Sequence, residues 1–175
     1  WANPDGSIRY MSPSCERITG YSPQEFIHHP SLIRKIILPI DREVWDQHFR
    51  ESRQGVRAHE IEFRIRKPDG QIRWIEHVCQ SVRGPQGEFL GYRVSNRDVT
   101  ERKLAEEAAR KKDQSLAEAQ RIAHLGNWTW NIETNELAWS DEIYRIFGLH
   151  PQEFGATYDA FLESVHPGDR QTVQE

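Results

Sequence analysis

Glu88-Phe89-Leu90-Gly91-Tyr92-Arg93-Val94-Ser95-Asn96-Arg97-Asp98-Val99-Thr100-Glu101-Arg102-Lys103 changes its hydrophobic period halfway along. In the first half Leu90, Tyr92 and Val94 fall on one side and Gly91, Arg93 and Ser95 on the other, the alternation of a half-buried strand. After Asp98 the apolar residues Leu104, Ala105, Ala108 and Ala109 recur among charges at helical spacing. Asp98 with Glu101 three residues later forms a capping pair, with Thr100 as the alternative cap. The spacing predicts a strand that runs into a long helix with almost no loop. Such a join passes any shift of the sheet to the helix. An ordinary strand-to-helix connector is the competing reading.

Upstream, the chain reads as two further long strands. Ile61, Phe63 and Ile65 alternate with Glu62, Arg64 and Arg66, and Lys67-Pro68-Asp69-Gly70 is a hairpin turn. Gln71 to Val82 follows, with Ile72, Trp74, Val78 and Val82 placed on one side, and Gly84-Pro85-Gln86-Gly87 turns the chain into the strand above. Before them lies a helical middle. Asp41 is read as the cap of a helix that carries Val44, Trp45, His48 and Phe49 on one side and closes at Gln54-Gly55. Ser22, then Pro23 at the first helical position, opens a shorter helix that His28-His29-Pro30 breaks. Ser12 or Ser14 caps another that ends at Gly20. A strand at Ile8–Met11, and one already under way at Trp1, complete the first part. The start inside a strand reads as a piece of a larger protein.

Downstream, the helix after Lys103 is expected to reach about Leu125. Its seven-residue spacings, Arg102-Ala109-Leu116-Ala123 and Ala105-Lys112-Ala119, make a small seam interrupted by Lys112. Arg110-Lys111-Lys112-Asp113 reads as a solvated face. A repeat then begins. Residues 17–26, Arg-Ile-Thr-Gly-Tyr-Ser-Pro-Gln-Glu-Phe, return at 145–154 as Arg-Ile-Phe-Gly-Leu-His-Pro-Gln-Glu-Phe. The same offset carries Ser12 to Ser140 and Asp41-Arg42 to Asp169-Arg170. The second copy lacks the three long strands, which leaves an unpaired edge. It is expected to be disordered, swapped with a partner, or completed by residues outside this sequence.

Composition bounds the function. The chain has 175 residues, 29% charged and 37% hydrophobic, with a net charge of −4. That suffices for one domain of about 100 residues and part of a second. No basic excess points to nucleic acid, no apolar run approaches a membrane span, and the first residues do not form a signal peptide. Cys15 and Cys79 have no metal-type spacing and fit buried thiols in a reducing compartment.

Tyr21-Ser22-Pro23-Gln24-Glu25-Phe26, Lys67-Pro68-Asp69-Gly70 with Arg73-Trp74, and Gly91 leading to Asp98-Val99-Thr100-Glu101-Arg102-Lys103 resemble a PAS domain with its C-terminal PAC segment. The resemblance covers residues 1 to 103, and Asn127-Trp128 onward is similar to the front of a second such domain. It implies an α+β fold, a five-stranded antiparallel sheet with helices on one face. The expected divisions are a sensory domain at 1–100, a signalling helix at 101–125 and a partial second domain at 126–175. The implied role is a cytoplasmic input and dimerisation module of a signalling protein, most often a sensor histidine kinase, either free or attached to a membrane. A homodimer through the domain surface and linker helix, an output domain in cis and a small-molecule ligand are the implied partners. A haem- or flavin-binding redox or gas sensor, a module of a cyclic-dinucleotide enzyme, and a structural spacer are the alternatives.

The implied pocket would be lined from the helices by Ile18, Phe26, Val44, Trp45, His48 and Phe49. From the strands it would be lined by Phe63, Ile65, Trp74, Val78, Tyr92 and Val94. Core packing is the competing reading for the aromatic members. Asp98, Thr100 and Arg102 are the candidate relay residues. No catalytic set emerges: Glu16 with Glu25, and Glu60 with Glu62, read as solvated carboxylates, and nothing resembles a nucleotide-binding loop. His124 reads as a surface or packing histidine rather than a phospho-acceptor. A light-sensing flavin site would need a cysteine in an Asn-Cys-Arg context, which neither thiol has. His48 is the best haem-ligand candidate, ahead of His28 and His29, while His59 and His77 show no ligand spacing. The expectation is a chain with no metal and no cofactor.

Overall fold

The computed structural model describes residues 1–53, 59–134, 136–151 and 157–174. The chain divides into two compact units, Trp1–Glu107 and Ala108–Glu175. Three antiparallel strands carry the first: β1 (His59–Arg66), β2 (Ile72–Arg83) and β3 (Phe89–Asp98), with β2 in the middle. The two expected N-terminal strands contract to single bridges. Ala2 pairs with Tyr92 of β3 and with Ile8, so the order across the sheet is Ile8, Ala2, β3, β2, β1. Gly91, at φ 123°, permits that close approach, because a Cβ there would collide with the carbonyl oxygen of Ala2.

Among the described residues, four α-helices precede the sheet: α1 (Ser14–Thr19), α2 (Pro23–His28), α3 (Leu32–Ile36) and α4 (Arg42–Arg53). α2 has the expected start, a capping box in which Ser22 Oγ accepts from Glu25 N–H and the Glu25 carboxylate accepts from Ser22 N–H. α1 differs from expectation. Pro13 occupies its N-cap position and no side chain caps it, although Gly20 ends it at φ 81° as read. Asp41 stands directly before α4 and turns its carboxylate to β1. It lies in the 3₁₀ turn Pro39–Asp41, and its carboxylate accepts from the Arg64 backbone N–H at 2.8 Å and from the Arg64 guanidinium at 2.8 and 2.7 Å. The predicted close of α4 at Gln54-Gly55 lies outside the described residues.

The core gathers Phe26, Ile36, Ile37, Phe63, Ile65 and Ile75 between helices and sheet. Phe63 and Ile65 take the predicted inward face of β1, each 1% exposed. On β2 the faces are the reverse of the expectation. Ile75, His77 and Cys79 point inward, whereas Trp74 and Val78 lie half-buried on the outer face. The reason is a second cover. Trp74 is overlaid by Arg64 (4.8 Å) and by Lys103 (5.5 Å) from the helix that follows β3.

That helix, α5 (Thr100–Ala123), stops slightly before the expected Leu125. His124 adopts φ 52°, with His124 N–H on the Arg121 carbonyl and Leu125 N–H on the Gln120 carbonyl, a left-handed helix stop with histidine in the usual glycine position. Among the described residues no helix is long and apolar enough to cross a membrane.

The second unit holds the hairpin β4 (Trp128–Asn131) and β5 (Glu136–Trp139), then α6 (Asp141–Ile146), α7 (Tyr158–Ser164) and α8 (Arg170–Gln174). The repeat extends to individual hydrogen bonds. Arg42 donates to the carbonyls of Ile37 and Lys35 at 3.3 and 3.4 Å, and Arg170 donates to those of Val165 and Glu163, both at 3.1 Å, every position 128 residues on. Gly148 at φ 74° matches Gly20. The described residues of this unit carry an aromatic cluster in which Trp139 meets Tyr144, Phe147 and Phe161. The repeated Gln152-Glu153-Phe154 lies outside the described residues.

Candidate ligand pocket and strand-to-helix junction

A cavity of about 300 Å³ opens between the inner face of the sheet and the helices. That is at the small end of the range for small-molecule sites. Of the predicted lining residues, Trp45, His48, Phe49, Tyr92 and Val94 border it. Phe26, Phe63 and Ile65 are core instead, and Ile18 packs against that core. Val44 is 45% exposed, so the stripe on α4 runs through Trp45, His48 and Phe49 without it. Trp74 and Val78 are on the other side of the sheet.

The polar wall of the cavity is the part that sequence reading missed. The antiparallel register sets Cys79 opposite Val94 and His77 opposite Asn96, and α4 brings His48 down onto them. His48 and His77 are each 3% exposed and Cys79 is 8% exposed. The two imidazoles meet edge to face at 4.9 Å, and Trp45 lies 5.1 Å from His77. His77 Nδ1 is 2.7 Å from Asn96 Oδ1. An amide oxygen only accepts, so Nδ1 carries the proton and Nε2 the lone pair. Burial pushes His77 down from 6.5 to about 4, so it is a neutral imidazole at physiological pH, and burial pushes the Cys79 thiol up. The signal available in the sequence was the period of two that places His77 and Cys79 on one strand face, whereas their meeting with His48 is tertiary.

The His48 ring packs against His77 and Trp45, at 4.9 and 6.4 Å. Cys79 has a nitrogen of each imidazole within 4.8 Å of its sulfur and stands outside the Asn-Cys-Arg context of a light-sensing flavin thiol. Cys15 lies away from the cavity, half-buried against the core. At the mouth, Arg34 of α3 and Asp46 of α4 form a two-pronged ion pair at 2.8 and 2.7 Å.

The junction is built as a lock across three elements. Asp98 Oδ1 accepts from the Thr100 N–H at 3.0 Å and from the Thr100 hydroxyl, and Thr100 Oγ1 accepts from the Trp74 N–H at 2.9 Å. Val99 N–H bonds the Trp74 carbonyl at 2.9 Å, so both backbone groups of Trp74 hold the first turn of α5. Asp98 does not pair with Arg102. Its charge partner is Arg73 at 3.8 Å, while Arg102 reaches Glu62 at 2.7 Å, Glu106 at 3.0 Å and Glu76 at 3.6 Å. Lys103 joins Glu62 beside it, and these cations hold the Glu62 carboxyl below its ordinary range, through hydrogen bonds from Lys103 first. His124 stands at the far end of α5, with Nδ1 3.3 Å from Glu142.

Comparison with known proteins places these features. The sequence matches the family described as PAS fold over residues 8–96 and 136–175. The blue-light-activated histidine kinase of Brucella canis is 32% identical over 185 aligned positions, which take in 97% of this chain and 36% of that protein. Among solved structures, a sensory box histidine kinase/response regulator from Burkholderia thailandensis superposes with TM-score 0.52 at 27% identity, over 66% of this chain and 86% of that one. The N-terminal domain of a diguanylate cyclase with PAS/PAC sensor from Marinobacter aquaeolei gives TM-score 0.51 at 25% identity, over 57% and 91%. The chain spans about a third of the length of the curated relatives it matches.

Proposed function

The chain belongs to the PAS fold family, and on that premise we propose that it is a sensory input and dimerisation module of a two-component sensor histidine kinase, itself without catalytic activity. The pocket, and not a surface site, is where the signal enters. The observation that carries this reading is the junction. Inward-facing residues of β3 line the cavity at Val94 and Asn96, and two residues further on Asp98 fixes the first turn of α5. A change in the pocket that displaces β3 therefore displaces the helix start, since no flexible loop absorbs it.

The helix then carries the motion to an output domain in cis. Leu116 is 55% exposed on the seven-residue row Arg102-Ala109-Leu116-Ala123 of α5, a seam that a second copy of the helix would cover. The homodimer is proposed through this seam together with the domain surface. The cytoplasm is the proposed location, where a kinase output has its nucleotide. The blue-light activity named for the relatives is not carried over to this unit, because its cavity thiol is flanked by imidazoles.

The test uses the longer protein that contains this chain. Its autophosphorylation is measured with and without Asp98→Ala. The expected result is a changed basal rate and a lost response to stimulus. Unchanged rates would make the junction a connector only, and cyclic-dinucleotide synthesis in place of phosphorylation would move the output to the cyclase class.

A further inference from the structure

We propose that His48, His77 and Cys79 form a binding site for a transition-metal ion of the zinc or copper class, held on the wall of the cavity with one coordination position open to it. This deepens the sensory reading by naming the class of ligand the pocket takes, and it rests on that reading only for its regulatory meaning.

Three observations on separate elements carry it. First, the donor set: one nitrogen from each imidazole and the Cys79 sulfur lie within 4.8 Å of one another, all on buried side chains. Two imidazoles and a thiolate are the ligands chosen by Zn²⁺ and by copper, not by hard cations. In a tetrahedral site with bonds of about 2.0–2.3 Å, ligand atoms sit roughly 3.5 Å apart. The three donors therefore need to close by about 1 Å, with the Ser52 hydroxyl, 3.4 Å from His48 Nε2, giving way.

Second, the orientation: Asn96 accepts the Nδ1 proton of His77 at 2.7 Å and so leaves Nε2 as the free donor. Outer partners of this kind fix the tautomer of ligating histidines. Third, the access: the group faces a cavity of about 300 Å³ whose mouth is framed by the Arg34–Asp46 ion pair. An ion has a way in, and an exchangeable fourth ligand has room. As the metal–sulfur bond forms, the thiol proton leaves to solvent. Among the described residues, this is the group of histidines, cysteines and carboxylates with such an arrangement.

The experiment titrates the purified 175-residue chain with Co²⁺, the spectroscopic stand-in for Zn²⁺, under reducing conditions without chelators. The expected result is one ion per chain, with an intense near-ultraviolet sulfur-to-cobalt band that Zn²⁺ abolishes by displacement. Cys15→Ser keeps the band and Cys79→Ser loses it. His77→Gln weakens binding, and Asn96→Leu weakens it by about 10–100-fold. Because Cys79→Ser could fail to fold, alkylation of the wild-type chain gives an independent arm, in which Zn²⁺ protects Cys79 and leaves Cys15 as reactive as before.

A band that survives Cys79→Ser, no band at all, or Zn²⁺ without effect on Cys79 alkylation would each overturn the proposal. None of those outcomes touches the relay, which is read from Asp98→Ala in the longer protein. Conversely, a silent junction leaves metal binding intact.

Discussion

Asp41 and Asp98 are both aspartates that sequence pattern places at the start of a helix, and the fold uses them for different tasks. Asp98 stays local and orders the first turn of α5. Asp41 reaches across to β1 and binds Arg64 three times. Local spacing cannot separate the two, because the Arg64 partner is 23 residues away in sequence. Asp41→Asn is expected to cost about 1.5–3 kcal/mol, the range for hydrogen bonds to a charged group, and denaturant titration measures it. Hydrogen bonds from Arg64, first among the causes, hold the Asp41 carboxyl below its ordinary range. Its contribution is therefore complete above the ordinary carboxylate pKa and is lost as pH falls through the lowered folded value. The gap in stability between wild type and Asp41→Asn should narrow in acid and be constant near neutrality. Gly91→Ala is expected to cost about 1–3 kcal/mol through its positive φ and the collision with Ala2. The amides of Ala2 and Tyr92 should lose hydrogen-exchange protection before the rest of β3 does.

At the scale of elements, strand positions were legible and strand faces were not always. β1 reads correctly because its outer residues, Glu62, Arg64 and Arg66, are charged. β2 misleads because both its faces are partly apolar. Its outer face carries Trp74 and Val78, with Trp74 under the first turn of α5, and its inner face gives two of its positions to His77 and Cys79 at the cavity. Polar residues on an inward face are the mark of a site, and a hydrophobic pattern scores them as solvent-facing. Phe63→Ala should destabilise the first unit by about 3–5 kcal/mol, whereas a midpoint unchanged in denaturant would contradict the burial of Phe63. Thr100→Val removes the acceptor for the Trp74 N–H and should cost about 1–3 kcal/mol. The loss should concentrate in the first turn of α5, seen by amide exchange at residues 100–104.

For the molecule as a whole, the internal repeat was the most legible feature. A helix-ending glycine, a serine and an aspartate–arginine pair recur at one offset, and the second arginine makes the same carbonyl bonds as the first. The pocket's contents were the least legible, because His48 meets His77 and Cys79 only once α4 lies on the sheet. Sedimentation of the 175-residue chain should show a concentration-dependent dimer, and Ala109→Glu with Leu116→Glu should yield a monomer of unchanged fold. The central claim, that the pocket and α5 are coupled through β3, has a direct test in this chain. Val94→Phe fills part of the cavity from the same face of β3 that ends at Asp98. Amide hydrogen exchange is then compared between wild type and Val94→Phe over residues 99–106. The account predicts altered protection there, and loss of that alteration when Thr100→Val is added. Identical protection of those amides with the cavity open and filled would contradict it.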